Sequence, residues 1–364
     1  MAPVLAPVAA VLEAGRVQGI APALAAAVAA PGRLLHLSAH GRAGPRPLAA
    51  TDRFDVASLT KVMATGTLCA RLAAEGALPL DAPAARWLPG FRGDKAAVTL
   101  RHLLAHASGL PPWRPLHAAV PAGAAPAAAE AAVEAAIAAE PLLAPPGTRA
   151  AYSDLGFVAL GIALSRLAGA PLERLCEERV LRPLGLGATS FAAGPGGRER
   201  ARREGAAFVP TVVRETGEER LGEVHDENAR ALGGVAGHAG LFSTAADVAA
   251  LGAAWIEALS GRSALLPAAT AALFAAPDAT PGSSRALAWD RPSGESPAIG
   301  SRLGRGSRGA IGHLAFTGCS LWLDLDRGLS CALLTNHCPR VGETAVIQAF
   351  RRRFHDAVAE GLGS

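Results

Sequence analysis

The chain has 364 residues, of which 50% are hydrophobic and 18% charged, a balance that supports a large core and excludes a disordered or low-complexity protein. The formal net charge is +4 and is spread along the chain. Its densest basic run, residues 198–203, lacks interleaved aromatics and reads as a solvated loop, so nucleic acid is not an expected partner.

In chain order, the pattern predicts a helix over residues 4–18, then strands over 23–29 and 34–40 joined by a Pro31-Gly32 turn. No basic stretch precedes an apolar run at the start, and no apolar stretch is long enough to span a bilayer. A cytoplasmic location and no membrane partner are therefore expected. Helices follow over 58–75, 99–105, 124–140, 155–167 and 171–181. Residues 193–222 read as the least ordered segment. A helix over 245–259 has Ser243 or Thr244 as N-cap. Strands return over 286–290, 321–325 and 329–335, the last two joined by an Asp326-Arg327-Gly328 turn, and a helix over 343–360 closes the chain. Strands near both ends with helices between them imply an α+β protein: one sheet built from both termini and a helical insertion.

Five cysteines (Cys69, Cys176, Cys319, Cys331 and Cys338) with no CxxC suggest neither a disulfide framework nor a zinc site. His102 and His106 have metal-ligand spacing, but Leu103 follows the first and no third ligand is evident, so a structural role is expected. The glycine-rich stretch 233–240 follows no convincing strand and reads as a loop at a site's rim rather than a nucleotide cradle. The sequence assigns no position to His225. Trp113 reads equally as a cleft residue or a packed loop residue, and helix 124–140 as a lid only by its place in the insertion.

The chemistry starts at Ser58-Leu59-Thr60-Lys61. Ser and Lys three apart at a helix start face the same side, with the Ser N–H in the favourable field of the helix N-terminus. SxxK alone is a weak string. Residue usage strengthens it: of 35 basic residues only Lys61 and Lys95 are lysine, and an arginine cannot give up a proton. Tyr152, in Ala151-Tyr152-Ser153-Asp154, is the single tyrosine beside ten phenylalanines, which points to a use for its hydroxyl.

SLTK at 58–61, YSD at 152–154 and Gly312-His313-Leu314-Ala315, with RHLLAHASGLP at 101–111 and GLFSTAAD at 240–247, resemble the class C β-lactamase, penicillin-binding protein and family VIII esterase group from about residue 22 to 336. The resemblance implies a β-lactamase/transpeptidase-like fold: a central antiparallel sheet flanked by helices (about 1–55 and 240–364) and an inserted helical part (about 56–239). It also implies acyl-enzyme hydrolysis of a small ester, amide or β-lactam, with no metal or organic cofactor. In that scheme Ser58 is the nucleophile and Lys61 hydrogen-bonds it and relays its proton. Tyr152 is the general base for attack and the acid toward the leaving group. Asp154 stands where Asn is usual and braces Lys61 or the substrate. His313 takes the first place of the third motif, and the Phe316 N–H is the second oxyanion donor. An alternative register puts Phe316-Thr317-Gly318 at that motif. In the first register Leu314 and Ala315 replace Thr and Gly. A Leu donates no hydrogen bond and a His is mostly neutral at pH 7, so carboxylate recognition is expected to be weak and an ester or small amide favoured.

Overall fold

The computed structural model describes residues 4–191, 208–213, 216–263, 265–294, 298–338 and 344–363. The basic run 198–203 lies outside them. Helix α1 (Ala6–Val17) leads into a hairpin of β1 (Ala23–Ala30) and β2 (Arg33–Ala43), turning at Gly32 with φ +68°. Short β3 (Arg46–Pro47) and β4 (Phe54–Asp55) precede the turn that bears Ser58. Helices α2 (Thr67–Ala74), α3 (Leu100–Leu104), α4 (Pro126–Ala139), α5 (Asp154–Ala168) and α6 (Leu172–Cys176) follow. After β5 (Ser190–Phe191), β6 (Thr211–Val213) and β7 (Glu218–Arg220) come α7 (Glu227–Ala231), β8 (Leu241–Ser243), α8 (Ala245–Leu259) and α9 (Ala268–Ala275). The chain ends with β9 (Ala310–Leu314), β10 (Ser320–Asp324), β11 (Leu329–Thr335), β12 (His337–Cys338) and α10 (Thr344–Gly361).

Six strands form one sheet in the order β3-β2-β1-β11-β10-β9, every neighbour antiparallel. The two chain ends meet at its centre, where β1 pairs with β11 through Ala27↔Ala332 and its flanking residues. Almost every residue of β1 is buried, because helices cover both faces. On one face, Val8 and Leu12 of α1 and Phe350, Phe354 and Val358 of α10 are fully buried with Val28 and Leu333. Each such side chain contributes about 1.5–3 kcal/mol by leaving water. Gly15 lets α1 approach α10 closely, since a Cβ there would lie 2.5 Å from the Phe350 ring. Helix α8 packs on the other face, with Thr244 as its N-cap accepting from the Asp247 N–H.

Two of the regions that differ from the sequence reading border the site. Residues 286–290 form no strand: the Ala286 N–H bonds the Trp289 carbonyl in a tight reversal, with Ala288 at φ +68°. Apolar Ala286, Leu287 and Trp289 mimic a strand because all are buried, but only Asp290 pairs, with Gly312, covering the free edge of β9. Within the segment read as least ordered, β6 and β7 form a hairpin that joins β12 in a three-stranded sheet. Its strands are three residues each and β7 is charged throughout, which conceals it from a hydrophobic-period search.

Candidate active site

Ser58 sits in a single 3₁₀ turn, Ala57–Leu59, that opens directly from β4. Ala57 holds φ +43°, a left-handed conformation that costs a non-glycine residue about 1 kcal/mol or more. Asp55 holds this elbow: its Oδ1 accepts the Ala57 N–H at 2.9 Å and its Oδ2 the His225 N–H at 2.7 Å. Burial raises the Asp55 carboxyl to about 6, despite those two donors. Lys61 begins a π-helical stretch, Lys61–Gly66, in which the Thr67 hydroxyl donates to the Val62 carbonyl at 2.7 Å. Widened turns of this kind recur at functional sites.

The Lys61 side chain is fully buried. Its Nζ donates to Ser58 Oγ at 3.1 Å, to Asp154 Oδ1 at 2.7 Å and to the His238 carbonyl at 3.2 Å. Burial alone would lower the Lys61 pKa, but Asp154 and then Tyr152 reverse it, and the net direction is up. Lys61 is therefore an ammonium. Asp154 moves the other way: burial opposes ionisation, and Lys61 outweighs it. A residue at the first position of α5 is also favoured there as an anion.

The Tyr152 hydroxyl donates to Ser58 Oγ at 3.0 Å. The ring stacks on His106 with centroids 4.7 Å apart, and the Lys61 Nζ and Arg285 Cζ lie 4.9 and 5.2 Å from its centre. Burial pushes the phenol up to about 12, with Lys61 pulling the other way, so at rest it is a hydrogen-bond donor. His106 accepts the Ser153 N–H at 3.0 Å, and His102 closes a capping box with Thr99 at the start of α3. Both histidines thus have partners within the fold.

His313 projects from β9 toward Tyr152, ring centroids 6.0 Å apart, and is buried. The Leu314 carbonyl, 2.7 Å away, accepts from Nδ1, which leaves the lone pair on Nε2. Burial lowers its pKa to about 4, so it is a neutral imidazole. Leu314 points the other way, onto the cluster shared by α1 and α10. Thr317 lies in the turn after β9, its hydroxyl donating to the Asp55 carbonyl at 3.0 Å. This arrangement fits the register that gives His313 the first place of the motif; in the alternative, Thr317 is committed to Asp55. Phe316, 55% exposed, lines a cleft of about 610 Å³ together with Ser58, Trp113, Asp154, Arg220 and His225. The Phe316 N–H has no backbone or side-chain acceptor among the described residues.

The structure brings all six sequence candidates to this cleft or its floor, and it adds residues that the sequence left unplaced. The His225 ring lies tilted against Phe316, centroids 5.5 Å apart. Asp226 Oδ1 lies 2.8 Å from His238 Nε2 and caps α7, and the His238 carbonyl is a Lys61 ligand. Gly237 makes that approach possible, because a Cβ there would sit 2.1 Å from the Phe157 carbonyl and 3.0 Å from the Gly161 N. Its own carbonyl accepts from Thr65 at 2.7 Å. Gly237→Ala is expected to cost about 1–3 kcal/mol by overpacking and to lower turnover by shifting the His238 carbonyl. A urea midpoint and kcat equal to wild type would refute that reading of the glycine.

A helix-start serine hydrogen-bonded to a buried lysine and a buried tyrosine, in a cleft beside an antiparallel sheet, defines a serine hydrolase of the SxxK type. The family model for Beta-lactamase matches residues 8–352, and the chain belongs to the β-lactamase family. It is 34% identical over 319 residues to the N-acetylmuramyl-L-alanine amidase of Bacillus subtilis (strain 168), covering 81% of this chain and 70% of that one. It is 35% identical over 218 residues to a putative D-alanyl-D-alanine carboxypeptidase of Escherichia coli (strain K12), covering 54% of this chain and about half of that relative, 49%. Among solved structures, EstCE1, a hydrolase with promiscuous acyltransferase activity, superposes with a TM-score of 0.75 at 23% identity, covering 97% of this chain and 98% of that one.

Proposed function

We propose that the protein hydrolyses a small uncharged ester or amide through an acyl-enzyme on Ser58. The observation that carries this is the pair of hydrogen bonds on Ser58 Oγ, from Lys61 at 3.1 Å and from Tyr152 at 3.0 Å.

The reactive form has Tyr152 as phenolate, stabilised by the Lys61 ammonium 4.9 Å from its ring centre and by Arg285. Oγ attacks the carbonyl carbon while its proton passes to the phenolate oxygen. The oxyanion is held by the Ser58 and Phe316 N–H groups. Collapse breaks the bond to the leaving group, which takes the proton from Tyr152. Water then adds to the acyl carbon, giving a proton to the same phenolate. The ester bond to Oγ breaks, and Tyr152 returns that proton to Oγ. Asp154 keeps Lys61 charged throughout, so Lys61 is a fixed donor to Oγ.

The uncharged substrate follows from the cations of the cleft. Lys61 is committed to Asp154, and Arg220 to Glu218 and the His225 carbonyl. His313 is neutral. No lining cation among the described residues is therefore free for a carboxylate. Exposed Trp113 and Phe316 offer instead an apolar surface to the acyl or leaving group. The likeness to the Bacillus subtilis amidase favours a second reading in which the scissile bond is an amide between an N-acetylmuramyl group and L-alanine.

The test is intact-mass spectrometry after treatment with a fluorophosphonate, with hydrolysis of p-nitrophenyl esters, alanine amides, muramyl peptides and penicillins measured in parallel. Wild type should gain one phosphonyl group on the peptide containing Ser58, and Ser58→Ala should gain none. Hydrolysis of the neutral esters or amides should exceed that of the penicillins. Absence of any adduct, or a clear preference for the penicillin carboxylates, would overturn the proposal.

A further inference from the structure

We propose that Arg351, on the C-terminal helix, is the positioning residue of the oxyanion site: its buried guanidinium holds the turn after β9 so that the Phe316 N–H faces Ser58. This rests on the reading of Ser58 as nucleophile and goes beyond it, since no sequence motif marks Arg351.

Arg351 is 4% exposed, yet every partner of its guanidinium among the described residues is a carbonyl and none a carboxylate. It donates to three carbonyls instead: Nε to Gly318 at 3.1 Å, and Nη2 to Ala315 at 2.7 Å and Cys319 at 3.0 Å. A buried cation with only neutral acceptors is an expensive arrangement. Its three acceptors all belong to the single turn 315–319. That turn has its own bonds, Ala315 N–H to Cys319 and Gly318 N–H to Ala315, and Gly318 takes φ +85°. On its other side, Thr317 bonds the Asp55 carbonyl at the base of the nucleophile elbow. The turn is thus tied to the elbow through Thr317 and to α10 through Arg351. With the carbonyls of 315, 318 and 319 drawn toward α10, the Phe316 and Thr317 N–H groups have no acceptor among the described residues, and of these two residues Phe316 lines the Ser58 cleft while Thr317 is buried.

An oxyanion donor acts only on the tetrahedral state, so misplacing it lowers kcat and leaves ground-state binding nearly untouched. In Arg351→Met the apolar stem remains and the three donors vanish. The expected result is a kcat lower by about 10- to 100-fold, a part of the 10²–10³ that loss of a whole oxyanion donor costs, with KM within about twofold. Affinity for a boronic acid, which forms a tetrahedral adduct on Oγ, should fall by the same factor as kcat. Arg351→Lys, which keeps one donor, should fall between. Arg353→Met removes an exposed arginine of the same helix, bonded to Gln18, and should change nothing. A folded Arg351→Met with wild-type kcat and boronate affinity overturns the inference. Should that variant fail to fold, Arg351→Lys decides by the same split between kcat and KM. A wild type that the fluorophosphonate never labels overturns both this inference and the hydrolase reading; a labelled wild type with indifferent Arg351 variants overturns this inference alone.

Discussion

Lys61→Met is expected to lower kcat by roughly 10³–10⁵ and to destabilise the fold by about 3 kcal/mol, two losses with different causes. The catalytic loss follows from Nζ, which donates to Ser58 Oγ and stands 4.9 Å from the Tyr152 ring. Without it the seryl oxygen loses a donor and the phenolate loses its nearest cation. The stability loss follows from Asp154, whose side chain is 19% exposed and whose 2.7 Å partner disappears. Removing one member of a buried pair leaves a charge that is neither paired nor fully hydrated. The double variant Lys61→Met/Asp154→Asn separates the two effects. It removes the stranded charge, so the urea midpoint should return most of the way to wild type while turnover stays lost. If the double variant regained activity along with stability, Lys61 would be a structural ion-pair partner and the proposed mechanism would fail. If the single variant were as stable as wild type, the Lys61–Asp154 attraction would be too weak to hold Lys61 charged.

The candidate reacting residues were legible because composition exposes them. A chain that uses arginine almost everywhere keeps lysine at 61, and a chain with one tyrosine puts it at 152. Under the proposed mechanism those choices supply proton chemistry that arginine and phenylalanine cannot perform. The six-stranded sheet was legible at its centre, since β1, β10 and β11 are dense in small and branched apolar residues. The reversal at 285–290 was not, because full burial erases the alternation that marks a strand, and Ala288 at φ +68° is invisible in composition. The supporting layer was equally hidden. Asp55, His238 and Arg351 act through backbone atoms: two N–H groups for Asp55, one carbonyl from His238, three carbonyls for Arg351. Such contacts depend on where distant segments cross, and side-chain spacing carries no record of that. His225 belongs with them, since only the loop held by Asp55 brings it to Phe316.

The second large effect lies in the pH profile. Tyr152 is held at about 12 by burial, so near neutrality only a small fraction is phenolate. If the phenolate accepts the seryl proton, kcat/KM should rise about tenfold per pH unit from pH 7 into the alkaline range, as the reactive fraction grows. Tyr152→Phe should lower kcat/KM by about 10²–10⁴ at pH 9 and remove the slope. His313 cannot supply that limb, because its imidazole titrates near 4. Stability should run the opposite way. The folded phenol titrates above its ordinary value of 10, so the unfolded chain releases its proton first. The Tyr152 contribution is therefore complete below pH 10 and declines as pH rises toward 12, and in Tyr152→Phe that decline should be absent. Activity and stability would then diverge between pH 10 and 12 in wild type alone. A profile flat from pH 7 to 10 in wild type, or a slope that survives in Tyr152→Phe, would move the proton-accepting role away from this phenol.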